Sequence, residues 1–375
     1  MADSTHIEWT DATWNVVTGC SVVSPGCTNC YAMRLAGGRM QHHPSRAGLT
    51  IETKAGPVWN GQVRFNEAWL YQPRSWKTPR RIFVAAHGDL FHEGVSDGQL
   101  MRIMSVIAET PHHTYQILTK RPERARDFLR QFADVAEGSG FVGARGPEAT
   151  RAAHKDGRGQ LFADMLEAMG TPPEGCAYPT YDWMNGMQSL PDFLPNIWLG
   201  VSVEDQVRAD ERIPILLDTP AAVRWISAEP LLGPVDISKW LFGRSEPCAQ
   251  CPKDLDCECG WAGRQILEGE AALHWVVVGG ESGPGARPMH PDWSRQIRDQ
   301  CAAAEVPFLF KQWGAWEPRA AWSPGPVTQR AIMLDGSPCP DDVAPQDVGA
   351  HRFVSVGKKA AGRLLDGVQH DGYPQ

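Results

Sequence analysis

Arg81-Ile-Phe-Val-Ala-Ala86 and Tyr115-Gln-Ile-Leu-Thr119 are two short, almost uninterrupted apolar runs, and they decide the fold class. Between them, Asp97 is placed to cap a helix. The apolar residues of that helix recur at the three- and four-residue spacing of one helical face: Leu100, Ile103, Met104 and Ile107. Pro122 opens another helix after the second run. Apolar strands that alternate with helices predict an α/β fold with a parallel sheet covered on both faces.

The same alternation returns in the second half of the chain. Further strands and helices are predicted there, at residues 197–203, 213–217, 222–227, 274–279, 292–304 and 306–310. Six or seven strand–helix units favour a partial or complete (β/α) barrel of the TIM type. The active site of such a barrel lies at the carboxyl ends of its strands.

The pattern also predicts how the chain is divided. We assign residues 1–317 to the barrel, with a Gly-, Pro- and Ala-rich insertion at 131–192 and a cysteine-bearing insertion at 241–272. Residues 318–375 form a C-terminal extension with a weak pattern, in which only residues 358–365 look helical.

Composition sets broad limits on function. The 375 residues are 42% hydrophobic and 21% charged, which is ordinary for a globular protein. No apolar run approaches the roughly 20 residues that span a bilayer, and no secretory signal is visible, so we expect a cytoplasmic protein without a membrane partner. The net charge of −8 argues against a protein that coats nucleic acid without specificity, but it is compatible with a local basic cleft.

Three cysteines share one loop near the start of the chain. Cys20, Cys27 and Cys30 are separated by a segment that contains proline and glycine. Three closely spaced thiolates suit a cubane iron–sulfur cluster that leaves one iron without a protein ligand. A zinc knuckle completed by His42 or His43 is one alternative, and a loop without metal is another.

A second cysteine group lies in the later insertion. Its members are Cys248, Cys251, Cys257 and Cys259. An insertion that buries little apolar surface of its own needs a cross-link or a metal site for stability. Four thiolates suit either structural zinc or an auxiliary 4Fe–4S cluster. The remaining cysteines are isolated, and we expect them to be inert: Cys176, Cys301 and Cys339.

The first cysteine segment resembles the cluster loop of radical SAM enzymes, with C-x6-C-x2-C in place of the usual C-x3-C-x2-C. Its ending, Cys30-Tyr-Ala32, is similar to that of the spore photoproduct lyase group. The wider pattern is closer still to a phage-associated family of unknown function that is marked by an expanded three-cysteine motif. The segments that carry this likeness are Asp89-Leu-Phe-His-Glu93, Leu118-Thr-Lys-Arg-Pro-Glu-Arg124, Gly200-Val-Ser-Val-Glu-Asp205, Ser227-Ala-Glu-Pro-Leu-Leu232, Gly279-Gly-Glu-Ser-Gly-Pro-Gly-Ala-Arg287 and Lys311-Gln-Trp-Gly314.

The resemblance implies a cofactor and a reaction. Cys20, Cys27 and Cys30 would hold a 4Fe–4S cluster, and S-adenosylmethionine would bind at its open iron. Reductive cleavage of S-adenosylmethionine would give a 5′-deoxyadenosyl radical that abstracts hydrogen from the substrate. The partner for this chemistry is an electron donor such as flavodoxin or ferredoxin.

The similarity to the lyase group, the tryptophan-rich loops and two basic stretches favour a nucleic-acid base or nucleotide as substrate. The basic residues are Arg74, Lys77, Arg80, Arg81, Lys120, Arg121, Arg124, Arg126 and Arg130. Two other functions stay open. One is a metal-stabilised nucleic-acid-binding protein without catalysis, and the other is an iron–sulfur electron carrier or sensor.

Polar residues at predicted strand ends are the candidates for chemistry. Those assigned to catalysis are Lys120, Glu93 and Asp89. Those assigned to cofactor binding are Ser202, Glu204, Gly279, Gly280, Glu281 and Arg287. The glycines of residues 279–285 are expected to let backbone approach a ligand. Glu229 has apolar neighbours, so we expect it to be buried and paired.

Overall fold

The structure is a computed structural model, and it describes residue 5 and residues 7–138, 194–241, 272–320, 327–340 and 343–374. Most of the predicted insertion at 131–192, and residues 242–271 of the other insertion, lie outside these ranges. The chain forms two compact units. The first contains residues 1–202, 214–223 and 282–286, and the second contains residues 203–213, 224–281 and 287–375.

Strands and helices are numbered in chain order. The strands are β1 (Ala12–Trp14), β2 (Val17–Thr18), β3 (Thr50–Thr53), β4 (Gly56–Trp59), β5 (Arg64–Phe65), β6 (Arg81–Val84), β7 (Thr114–Thr119), β8 (Ile197–Ser202), β9 (Val223–Ala228), β10 (Trp275–Gly279), β11 (Phe308–Gln312), β12 (Trp316–Arg319), β13 (Gln329–Ile332) and β14 (His351–Ser355). The helices are α1 (Tyr31–Gly37), α2 (Asp97–Glu109), α3 (Pro122–Gly138), α4 (Gln206–Leu217), α5 (Ser238–Leu241), α6 (Pro291–Ala303) and α7 (Lys358–Ala361).

In the first unit, β1, β6, β7 and β8 pair in parallel and in chain order. Val84 of β6 lies opposite Ile117 of β7, so the residues that follow these two strands emerge at the same edge. The predicted strands and the helix between them are confirmed, with one correction. Ser96 caps α2, and Asp97 is the first helical residue. The Ser96 side chain accepts from the Gln99 amide, and the Gln99 side chain accepts from the Ser96 amide.

In the second unit, β10 lies between β9 and β11, and all three are parallel. Every residue of β10 is buried, which agrees with a strand covered on both faces. The seven parallel strands of the two units confirm the predicted mixed α/β class with strands in chain order.

The C-terminal extension differs from its prediction. β12, β14 and β13 form an antiparallel sheet in that order, whereas only a helix over residues 358–365 was expected. The helix, α7, stops at Ala361. The strands were missed because they are four or five residues long and carry charged residues or proline between their apolar positions.

Two glycines bring the start of the cysteine loop against the segment after β6. Gly19 and Gly88 form an isolated parallel bridge. A Cβ at Gly88 would lie 2.9 Å from the Gly19 carbonyl oxygen. Gly19 has a φ of +94°, and a Cβ there would lie 2.3 Å from the Gln62 carbonyl oxygen. Side chains are therefore excluded at this crossing.

Among the helices described, none has both the length and the apolar character needed to cross a membrane.

Candidate functional site

Three thiols lie on one loop of the first unit. Cys27 is buried, Cys20 and Cys30 are partly buried, and none of them is in a disulfide. Two successive turns shape the loop. The Cys27 amide donates to the Ser24 carbonyl at 2.9 Å, and the Cys30 amide donates to the Cys27 carbonyl at 3.2 Å. Because α1 begins directly after Cys30, backbone structure fixes the spacing of the last two cysteines.

Asp89 is a buried carboxylate whose two oxygens are both engaged. Oδ1 accepts hydrogen bonds from the Thr119 hydroxyl at 2.7 Å and the Phe91 amide at 3.0 Å. Oδ2 accepts from the Lys120 amide at 3.0 Å and from Nη1 of Arg121 at 3.1 Å. Three of these donors, from Thr119, Lys120 and Arg121, tie the segment after β6 to the end of β7 and the residues that follow it. The geometry therefore supports an anchoring role for Asp89, while its catalytic role stays a prediction.

Arg121 connects this anchor to the cysteine loop. The residue is 5% exposed, although the sequence placed it in a basic surface stretch. Nη1 bonds Asp89 and lies 3.6 Å from Sγ of Cys20. Nη2 donates to the Ser21 hydroxyl at 2.6 Å, and Nε donates to Oε1 of Glu93 at 2.9 Å. One guanidinium thus joins both strand-end segments to the first cysteine.

Glu93 and His92 complete the cluster on the side away from Asp89. The Glu93 side chain is 70% exposed. Partial burial opposes its ionisation, but hydrogen bonds from its own amide and from Arg121 outweigh that effect and lower its pKa. Nδ1 of His92 accepts from the Gly94 amide at 3.0 Å, so we assign the proton to Nε2, which lies 3.1 Å from the Ser21 hydroxyl. Burial lowers the pKa of His92, which is therefore neutral near pH 7.

Two of the thiols, Cys20 and Cys30, sit in an environment that favours their protonated form. Burial, with a smaller contribution from Asp89, raises the pKa of Cys20 to about 12, and Arg121 opposes this rise. Burial also raises the pKa of Cys30, and hydrogen bonds from the Met33 and Ala32 amides oppose this rise. The segment after β7 therefore presents one cation, Arg121, to the Cys20 thiol.

The loop offers three free thiols, which is the donor set of a group that takes three thiolates. Metal ligation replaces the thiol proton by a cation, which reverses the effect of burial on the charge. Among the described residues, no three His, Cys, Asp or Glu side chains are arranged to hold a single metal ion, with His42 and His43 included. A four-iron cluster binds each thiolate through a different iron. The spacing of its sulfur ligands therefore differs from the spacing of ligands around a single metal ion. The second cysteine group, residues 248–259, lies outside the described residues.

Residues 4–374 match the family described as "Protein of unknown function (DUF5131)". The chain belongs to this family. No curated protein and no solved structure matches it.

The glycine-rich segment after β10 packs against its own chain. A Cβ at Gly280 would lie 2.1 Å from the Trp313 carbonyl oxygen, and one at Gly279 would lie 2.9 Å from the Glu229 side chain. At Gly279 and Gly280 the space that a side chain would fill is occupied by groups of the same unit, and the expectation that residues 279–285 let backbone approach a ligand stays a prediction. Glu229 is paired as predicted, with its Oε1 2.7 Å from Nζ of Lys311, but its side chain is 15% exposed and therefore only partly buried.

The other residues assigned to cofactor binding are held in ion pairs or in the core. The buried Glu281 accepts from Nη2 of Arg287 at 2.6 Å and from its Nε at 2.9 Å. Glu204, which is fully buried, lies 2.9 Å from Nη1 of Arg212. In the first unit, Ser202 is 4% exposed. Their binding roles stay predictions.

Most of the basic residues that suggested a nucleic-acid surface are paired within the first unit. The pairs are Arg74 with Glu109, Arg81 with Asp11, Arg124 with Asp97, Arg126 with Asp127, and Arg130 with Asp218. Most tryptophans of the tryptophan-rich loops are core residues: Trp9, Trp14, Trp59, Trp76, Trp313 and Trp316 are buried. The geometry thus offers neither a long basic stripe nor a row of stacking rings among these residues.

Proposed function

We propose that this protein is an iron–sulfur enzyme in which Cys20, Cys27 and Cys30 hold a 4Fe–4S cluster with one iron open to S-adenosylmethionine. Its scaffold would be a partial (β/α) barrel of the radical SAM kind. One observation carries the proposal: the buried guanidinium of Arg121, which follows β7, has its Nη1 3.6 Å from Sγ of Cys20 on the cysteine loop. Hydrogen-bonding groups around metal ligands orient them and offset their charge.

Each residue of the cluster has a task in this scheme. Arg121 orients Cys20 and offsets the charge of its thiolate, and Asp89 fixes the guanidinium through its buried carboxylate. Burial of Cys27 keeps water from the ligand. When bound, the iron–sulfur group supplies reductive cleavage of S-adenosylmethionine.

The proposal extends to partners and location. A donor such as flavodoxin or ferredoxin would deliver the electron. The four cysteines of residues 248–259 would hold zinc or a second iron–sulfur cluster. We place the reaction in the cytoplasm, where thiols stay reduced. Because most of the basic side chains are already paired, we favour a nucleotide or a single base as substrate over a length of nucleic acid.

Anaerobic reconstitution tests the proposal. The full-length protein is supplied with iron and sulfide, its bound iron is counted, and release of 5′-deoxyadenosine is measured after reduction with S-adenosylmethionine. The test variant replaces Cys20, Cys27 and Cys30 by alanine. The control variant replaces Cys339, a partly buried cysteine outside both groups.

The expected difference is about four iron atoms per chain between the control and the triple variant, with 5′-deoxyadenosine formed only by the control. Because the second cysteine group is unchanged, iron bound there cancels from the comparison. Equal iron in both variants, or no cleavage by the loaded control, would contradict the enzyme proposal. Cluster binding without cleavage would favour the electron carrier, and nucleic-acid binding without a cluster would favour the non-catalytic alternative.

A further inference from the structure

Ser21 directly follows the first cysteine of the loop and shares a cation with it. Nη2 of Arg121 donates to the Ser21 hydroxyl at 2.6 Å, and Nη1 of the same guanidinium lies 3.6 Å from Sγ of Cys20. The Cys20 thiol donates to the Ser21 carbonyl oxygen at 3.4 Å. The hydroxyl and the thiol are thus held by the two terminal nitrogens of one buried side chain.

His92 supplies a second donor to the same hydroxyl. Its Nε2 lies 3.1 Å from Oγ of Ser21, and its Nδ1 accepts from the Gly94 amide at 3.0 Å. A neutral imidazole carries one proton, so a ring that accepts at Nδ1 donates at Nε2. The buried His92 ring therefore donates to Ser21.

These two donors decide what the Ser21 hydroxyl can do. A hydroxyl has two lone pairs and one proton, so accepting from Arg121 and from His92 uses both lone pairs. Within the part of the chain that the structure describes, no residue accepts the proton of this hydroxyl. That proton is left for solvent or for a bound group.

The same arrangement excludes Ser21 as a nucleophile. A nucleophilic serine passes its proton to a histidine nitrogen that carries none. Nε2 of His92 already carries a proton, because Nδ1 is the nitrogen that accepts from Gly94. The Ser21 hydroxyl is therefore a hydrogen-bond donor with a fixed oxygen, and its acceptor must come from outside these residues.

Metal ligation of Cys20 would supply such an acceptor. A cysteine that binds metal loses its thiol proton, so Sγ of Cys20 would act only as an acceptor. Hydrogen bonds to the sulfurs are among the features that set the reduction potential of an iron–sulfur cluster. A donor favours the reduced state, because that state carries one more negative charge and accepts the stronger hydrogen bond.

We propose that the Ser21 hydroxyl donates a hydrogen bond to a sulfur of the iron–sulfur group held at Cys20 and thereby raises its reduction potential. The inference rests on the proposed function, because it requires a cluster on this loop. Arg121 and His92 orient the hydroxyl by occupying both of its lone pairs. Ser21 thus makes the cluster easier to reduce by the electron donor.

Redox titration of the reconstituted full-length protein, followed by electron paramagnetic resonance, tests this inference. Ser21→Ala removes the donor, and Ser21→Thr keeps a hydroxyl at the same position. The control is Thr28→Val, which removes an exposed hydroxyl of the same loop whose proton is already donated to the Pro25 carbonyl at 2.9 Å.

We expect Ser21→Ala to make reduction about tenfold less favourable, which lowers the midpoint potential by about 59 mV for one electron. The potentials of Ser21→Thr and Thr28→Val should stay close to that of the unmodified protein. Iron is counted in every variant before the titration. Loss of iron from Ser21→Ala alone would also support the inference, because the hydroxyl would then stabilise the bound group.

The results that contradict the inference differ from those that contradict the proposed function. A loaded Ser21→Ala protein with an unchanged midpoint potential would overturn the inference and leave the proposed function standing. Equal decreases in Ser21→Ala and Thr28→Val, or loss of iron from both Ser21 variants, would also overturn it. Absence of a cluster from the unmodified protein would refute the proposed function, and this inference with it.

Discussion

Asp89 and Glu93 bind the same guanidinium, and replacing each by its amide separates the effect of burial from that of the contact. The side chain of Asp89 is 6% exposed, and that of Glu93 is 70% exposed. In Asp89→Asn, one oxygen becomes an NH2 group. If that group lies at Oδ2, it meets the N–H groups of Lys120 and Arg121; if it lies at Oδ1, it meets the amide of Phe91. Neither orientation satisfies all the donors.

The expected cost follows from that geometry. Removing the buried charge leaves Arg121 with only the solvent-exposed Glu93 as counter-charge, and we expect Asp89→Asn to lower the free energy of unfolding by about 3–5 kcal/mol. Glu93→Gln removes a partner that solvent can replace, so its cost should stay within about 1 kcal/mol.

Equilibrium urea unfolding, followed by tryptophan fluorescence, measures both variants under the same conditions. Trp14, which is fully buried in the first unit, reports on this region. Equal losses of stability in the two variants, or a larger loss in Glu93→Gln, would refute the reasoning that burial decides the strength of these contacts.

Three further predictions concern the fold. Ser96→Ala should lower the free energy of unfolding by about 1 kcal/mol in urea denaturation, because α2 loses its capping box, and Ser96→Asp should retain most of the stability. Gly280→Ala should reduce the yield of folded protein, because its Cβ would meet the Trp313 carbonyl. Gly233→Ala, with no atom within 4 Å of its Cβ, should fold normally. Size-exclusion chromatography and circular dichroism compare the two variants. His87 should make the free energy of unfolding fall as the pH drops from about 6.5 to about 4, because over that range the unfolded state takes up a proton that the folded ring does not. The difference between the urea midpoints at pH 7 and pH 5 should therefore be smaller in His87→Asn than in the unmodified protein. An unchanged difference would contradict the assignment.

The sequence predicted the elements whose local pattern is strong. β10 was found because its apolar residues are consecutive and all of them are buried. α2 was found from its apolar spacing, although its cap was placed one residue late. β13 and β14 were missed because antiparallel pairing between short strands stabilises them more than their own composition does.

The candidate site was predicted only in part, for a related reason. The cysteines and Asp89 could be named from the sequence, because their chemistry and their position after a strand are local features. The burial of Arg121 could not be foreseen, since it depends on the parallel register that brings the ends of β6 and β7 to one edge. The surroundings of Gly280 could not be predicted either, because a glycine-rich pattern does not show whether a ligand or a neighbouring chain segment occupies the space beside the glycine.

The crossing of Gly19 and Gly88, together with the contacts of Arg121, determines what would be needed to graft the cysteine loop onto another protein. The cysteine segment shares a backbone bridge with the residues after β6 and a guanidinium with the residues after β7. Residues 15–32 grafted alone onto another barrel would lose both supports. The smallest unit that could be transferred to another protein is therefore three separate segments in the correct register. We also expect natural variants of the cysteine spacing to be accompanied by changes near residues 88 and 121.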